Sequence, residues 1–166
     1  MSELLLGCGR SREKRVALGP PEWSALTTLD LYPDCEPDIL WDLNLTPWPI
    51  ADNAYDEVHA YEVLEHLGRQ GDYVSFFEHF SEIWRILKPG GRLFATVPAS
   101  TSPWVWGDPG HTRQISLESL TYLDQGEYVR QTAVMTDYRH IYRADFKPLM
   151  ARIEGGTFVF ILEARK

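Results

Sequence analysis

Leu4-Leu5-Leu6-Gly7-Cys8-Gly9 opens the chain with a short apolar run broken by two glycines. Consecutive leucines suit a strand covered on both faces, and the glycines supply a tight turn after it. Glycine also lets the backbone approach a ligand, because no Cβ stands in the way. Working outward, Ala25 to Leu31 reads as a second strand, ending at Asp30 and closed by Pro33. Asp38 to Leu43 is a third candidate, and Asp56 to Tyr61 a fourth after a turn at Asp52-Asn53. A first strand begun at residue 3 or 4 leaves no room for a helix before it.

The spacing of Val74, Phe77, Phe80, Ile83, Trp84 and Leu87 predicts a helix from Asp72 to Leu87, with Asp72 as N-cap. Pro89-Gly90-Gly91 should end it and turn the chain into a fifth strand, Leu93 to Val97. Pro98 to His111 reads as a loop, and Ser116 caps a short helix through about Asp124. Arg152 to Arg165 reads as strand, Gly155-Gly156 turn, strand. The expected fold is α/β: a mostly parallel, Rossmann-like sheet ending in an antiparallel hairpin, as one domain over residues 1–166.

The formal net charge of -8 provides no long-range field to attract phosphate backbones, so nucleic acid is not the expected partner. Arg10, Arg12, Lys14 and Arg15 cluster, most simply as a solvated helix face. Cys8 and Cys35 form no framework and read as free thiols in a reducing compartment. No basic leader and no apolar run of about 20 residues is present, so the expected location is the cytoplasm.

In this order the motifs resemble the class I S-adenosylmethionine (SAM)-dependent methyltransferases, particularly the small type 11-like group. The resemblance rests on Leu4-Leu5-Leu6-Gly7-Cys8-Gly9, Leu29-Asp30-Leu31, Trp41-Asp42-Leu43, Asn53-Ala54-Tyr55-Asp56-Glu57-Val58, Glu62-Val63-Leu64-Glu65-His66-Leu67 and Ile86-Leu87-Lys88-Pro89-Gly90-Gly91. It implies SAM as cofactor, with Gly7, Cys8, Gly9, Asp30, Leu31, Asp42, Leu43 and Tyr61 at its site. Asp30 lies 21 residues past Gly9, where a strand-end carboxylate can accept two hydrogen bonds from a ribose diol. Asp42 stands where the family places a residue beside the adenine amine.

This chain departs from the family pattern at three points. Leu5 stands where the family often has an acid, and Ser11 replaces a third small glycine. Only about 10 residues follow Asp30 before the third strand, too few for the usual crossover helix. The fold should therefore have trimmed crossover helices.

The resemblance implies methyl transfer to an acceptor the sequence does not identify; the alternative is a SAM-binding or structural module without catalysis. A nicotinamide dehydrogenase would need glycine where Arg12 stands. Glu62, Glu65 and His66, with His59 before them, do not form His-Glu-x-x-His, so no catalytic metal is expected. Candidate bases are His111, in Gly110-His111-Thr112-Arg113, and His66. Trp104 and Trp106 either wall the acceptor or pack the loop onto the domain. The acceptor side is expected to be open to a large acceptor, or closed by a second copy or a partner subunit.

Overall fold

The computed structural model describes residues 1–130 and 135–166. Strands β1 (Ser2–Leu6), β2 (Ala25–Asp30), β3 (Ile39–Leu40) and β4 (Tyr55–Tyr61) precede helix α1 (Tyr73–Ile86). Strand β5 (Leu87–Pro98), helices α2 (Trp104–Gly107), α3 (Leu117–Thr121) and α4 (Gln125–Arg130), and strands β6 (Phe146–Glu154) and β7 (Thr157–Ala164) follow. The sheet order is β3-β2-β1-β4-β5-β7-β6. Pairing is parallel from β3 to β5 and antiparallel for β5–β7 and β7–β6. This is the expected Rossmann-like α/β sheet with its terminal hairpin.

Strand residues alternate between faces. Leu4, Leu6, Val58, Ala60, Leu93 and Ala95 join the main core with Phe77, Phe80, Ile83 and Ile86 of α1. Asp72 caps α1 by accepting from the Ser75 amide at 3.1 Å. The opposite face carries Glu3, Leu5, Glu57, His59 and Tyr61, and among the described residues no crossover helix joins β1 to β2 over it. The segment after Gly9 runs over it as irregular chain instead, packing Val16 and Trp23 beside Leu5, Cys8 and Tyr61.

That corrects the reading of the basic cluster as a helix face. Lys14 is buried, with its Nζ 2.5 Å from Glu3 Oε1 and 3.2 Å from Glu57 Oε2. Arg12 donates to the Gly9 carbonyl at 2.6 Å and the Cys35 carbonyl at 2.7 Å, tying the glycine turn to the β2–β3 connection. That connection holds one 3-10 turn, Pro33–Cys35, in place of a crossover helix. Asp38 reaches back instead and accepts from the Thr28 amide and hydroxyl at 2.8 Å.

Two element boundaries and one buried helix face also shift. Pro89-Gly90-Gly91 does not separate helix from strand: Leu87 ends α1 and begins β5, and residues 89–91 lie within the strand. The third strand is two residues long, so Asp42 lies past its end. Val74 is exposed, while His79 and Glu82 are buried in its stead. Glu82 is tolerated there because its Oε2 accepts from the Trp48 amide at 2.7 Å and from Arg85 at 2.8 Å.

Candidate functional site

The carboxyl ends of β1, β2, β4 and β5 meet at one edge of the sheet, where open α/β sheets bind ligands. Gly7 and Gly9 both adopt positive φ, +55° and +51°. Their surroundings differ. A Cβ on Gly7 would stand 2.3 Å from Val63 Cγ2, so that glycine serves the packing of β1 against the β4 end. A Cβ on Gly9 would meet nothing within 4 Å, so the space above Gly9 is open to a ligand.

Asp30 is 7% exposed and accepts from the Gly9 amide at 2.8 Å through Oδ2 and from the Tyr32 amide at 2.9 Å through Oδ1. It therefore builds the turn as well as facing the edge. Each carboxylate oxygen keeps a second lone pair for a ribose hydroxyl. Leu31 follows it half-exposed. Asp42 accepts from the Asn44 amide at 2.9 Å, while its neighbour Trp41 donates its amide to the Asp30 carbonyl at 2.9 Å. Gly9 and Asp30 are joined by the 2.8 Å bond, and the Trp41 amide ties the residue before Asp42 to the Asp30 carbonyl.

Three expected contacts fare differently. Leu43 packs into the main core at 6% exposure. Cys8 is buried against Leu5 and Tyr61, and its amide bonds the Leu29 carbonyl at 3.2 Å. The Tyr61 hydroxyl is engaged by His59 Nδ1 at 2.7 Å and by the Val16 amide and carbonyl, both at 3.2 Å. Burial pushes that phenol up to about 12. A cavity of about 30 Å³ remains beside Gly7, Cys8, Ser11, Arg15 and Tyr61.

A second group forms beyond β4. A 3-10 turn, Leu64–His66, places Glu65 and His66 against the loop that follows β5. The Glu65 carbonyl accepts from the Thr112 and Arg113 amides, each at 3.0 Å, which fixes His111 above it. His66 Nδ1 lies 3.0 Å from the Gly110 carbonyl, and His111 Nδ1 lies 2.8 Å from the Trp104 carbonyl. A carbonyl only accepts, so each Nδ1 carries the proton and each Nε2 presents a lone pair when the ring is neutral.

The Glu65 side chain is 1% exposed, and neither carboxylate oxygen has a hydrogen-bond partner among the described residues. Burial, with the Glu62 and Asp108 charges adding to it, pushes its carboxyl up to about 8. Glu62 itself adopts φ +56°. Trp104 and Trp106 are 67% and 55% exposed, so they do not pack the loop; buried Val105 between them does. The sequence singled out His66 and His111 but missed Glu65 as their companion. Its neighbour His111 lies far along the chain, so no local spacing joins them.

Among the described residues no helix is long and apolar enough to cross a membrane. Residues 4–95 match the family model described as a methyltransferase domain. A Mycolicibacterium smegmatis protein named as an S-adenosylmethionine-dependent methyltransferase is 33% identical over 84 residues, 48% of this chain and 30% of that protein. The chain thus matches less than a third of that relative's length. A crystallised SAM-dependent methyltransferase from Archaeoglobus fulgidus superposes with a TM-score of 0.61 at 15% identity, covering 98% of this chain and 85% of that one. A crystallised cyclase superposes with a TM-score of 0.58, also at 15% identity, over 99% of this chain and 74% of its own. At such identities the likeness establishes the fold alone.

Proposed function

Because residues 4–95 make the chain a member of the methyltransferase-domain family, we propose that it binds SAM over the Gly9–Asp30 edge and transfers its methyl group to an acceptor beside His66 and His111. The carrying observation is the open face of Gly9 next to a strand-end carboxylate. Gly9, Asp30, Leu31 and Asp42 hold the adenosine half in this reading, and Gly7, Cys8 and Tyr61 bound the methionine half. Leu43 contributes through the core beneath.

The bound cofactor supplies an activated methyl on a sulfonium. The acceptor lone pair forms the new bond to carbon as the carbon–sulfur bond breaks, and its electron pair stays on sulfur. The chain's task is alignment, and orientation can supply about 7–11 kcal/mol. An acceptor that must lose a proton can give it to His111 or His66 at Nε2. Exposed Trp104 and Trp106 wall the acceptor side, and a second copy or a partner subunit completes it. We read residues 1–166 as one cytoplasmic domain, consistent with the free thiols of Cys8 and Cys35.

One observation favours a second reading, a SAM-binding or structural module without transfer. The space beside Gly7, Cys8 and Tyr61 is about 30 Å³, well below the ~300 Å³ or more of ordinary ligand sites. Thermal unfolding and calorimetry with SAM, S-adenosylhomocysteine and NAD test both. Stabilisation by the first two with labelled-methyl incorporation from SAM supports the enzyme. Stabilisation without incorporation across candidate acceptors supports the module, and a response to NAD alone overturns both.

A further inference from the structure

Among the described residues, two clusters each bring together three acidic and imidazole side chains at metal-ligand spacing. In the first, Glu3, Glu57 and His59 converge, but Lys14 Nζ already stands among them, 2.5 Å from Glu3 and 3.2 Å from Glu57. That cluster carries its own cation. In the second, Glu65, His66 and His111 each offer one ligand atom, all within 4.8 Å of one another. No lysine or arginine forms an ion pair with Glu65 among the described residues; its nitrogen neighbour is His111 Nε2, 3.9 Å from Oε1.

From this contrast we propose that Glu65, His66 and His111 bind a divalent transition cation. The carboxyl is buried beside the Glu62 carboxyl with no donor group on either oxygen among the described residues, an arrangement that costs about 1–3 kcal/mol or more unless a cation fills it. The Gly110 and Trp104 carbonyls hold each Nδ1 and leave each Nε2 lone pair free for ligation, His111 Nε2 lying 3.9 Å from Glu65 Oε1. Backbone carbonyls fix metal-bound histidines in this way. Gly110 makes the contact possible: a Cβ there would stand 3.2 Å from His66 Nδ1. Asp108 Oδ2, 3.9 Å from His111 Nε2, is a further oxygen at the rim.

Two imidazoles with one carboxylate favour Zn²⁺ or Mn²⁺ over Mg²⁺ or Ca²⁺, which take oxygen ligands. Bonds of about 2.0–2.2 Å need the three ligand atoms to draw slightly together, through side-chain rotation at the half-open His66 side. The sequence expectation of no metal tested only His-Glu-x-x-His, which cannot register a ligand from a distant loop. The site does not depend on methyl transfer, but it bears on it: a cation held by His111 Nε2 removes that nitrogen as a base.

The test uses the full chain, freed of any affinity tag and stripped with chelator. Zn²⁺, Mn²⁺ and Mg²⁺ are titrated alone by calorimetry and thermal unfolding, and Co²⁺ by its visible absorption. Expected are one Zn²⁺ or Mn²⁺ per chain, a raised Tm, a Co²⁺ spectrum of mixed nitrogen and oxygen ligation, and little response to Mg²⁺. Glu65→Gln, His66→Ala and His111→Ala should each weaken binding at least about tenfold. Glu65→Gln should do so without lowering the metal-free Tm, and Glu57→Gln, in the lysine-filled cluster, should leave cation binding unchanged. Absence of binding at millimolar Zn²⁺ and Mn²⁺ overturns the proposal, as does binding that persists in all three ligand variants. Loss of SAM binding with cation binding intact would count against the methyltransferase reading and not against this site.

Discussion

Gly7 and Val63 occupy the same space: a Cβ at position 7 would lie 2.3 Å from Val63 Cγ2. Gly7→Ala should therefore destabilise the fold through overpacking, by about 1–3 kcal/mol on top of the cost of positive φ. Gly9→Ala bears only the backbone cost. Urea unfolding should rank Gly7→Ala as the worse of the two, and Val63→Ala should recover part of the Gly7→Ala loss. Equal losses in both variants, with no recovery, would remove Val63 as the reason for the glycine.

Lys14 is the internal cation of the Glu3–Glu57–His59 cluster. Removing one partner of a buried ionic group leaves uncompensated charge, at a cost of about 3–5 kcal/mol. Lys14→Met should lower the Tm strongly, whereas Arg10→Met on the exposed turn should not. Adding Glu3→Gln and Glu57→Gln to Lys14→Met should restore stability. A Lys14→Met protein as stable as the parent would return Lys14 to the solvated surface.

Asp30 supports the turn and the proposed cofactor site together, because its two oxygens hold the Gly9 and Tyr32 amides. Asp30→Ala should lose stability without any ligand, by about 1–3 kcal/mol, and SAM affinity beyond that. Asp30→Asn keeps one acceptor oxygen and should lose less of both. Calorimetry paired with ligand-free unfolding separates the effects. Full SAM affinity in a destabilised Asp30→Ala would restrict the residue to the turn.

Burial, aided by the Arg113 charge, lowers His79 to about 4, and burial with the Lys14 charge lowers His59 to about 3. Both folded values lie below the unfolded value of about 6.5, so the unfolded chain binds protons first. The contribution of the two histidines should therefore be full above pH ~6.5 and fall as the pH drops toward those values, by up to about 1.4 kcal/mol per pH unit per histidine, while Glu65, raised to about 8, opposes it with the reverse slope over the same range. Urea midpoints between about pH 7 and pH 5 give the slope. His79→Leu should make it shallower; an unchanged slope would mean His79 takes no part.

The sheet was legible in the sequence because each strand announces itself locally. Leu4-Leu5-Leu6 is an unbroken apolar run and Leu93 to Val97 is broken only by Thr96, and both are buried on two faces. Tyr73–Ile86 was legible for the same reason: Phe77, Phe80 and Ile83 repeat at helical spacing, and the Asp72 side chain caps the first turn. The segment after Gly9 was misread. Its basic residues carry no periodicity that says which are solvated, and Lys14 is buried only because Glu3 and Glu57, on two different strands, converge under it.

By itself the sequence determined the succession of strands along an α/β chain, the glycine turn and the acid at the end of the second strand. Each follows from residue type and short-range spacing, and these set local backbone geometry. Tertiary structure alone decided that Gly7 answers Val63, that Leu43 belongs to the core, that Trp104 and Trp106 face outward, and that Glu65 meets His66 and His111. Those relationships join segments brought together by parallel strand pairing, and they depend on burial and direction, which a linear pattern does not carry.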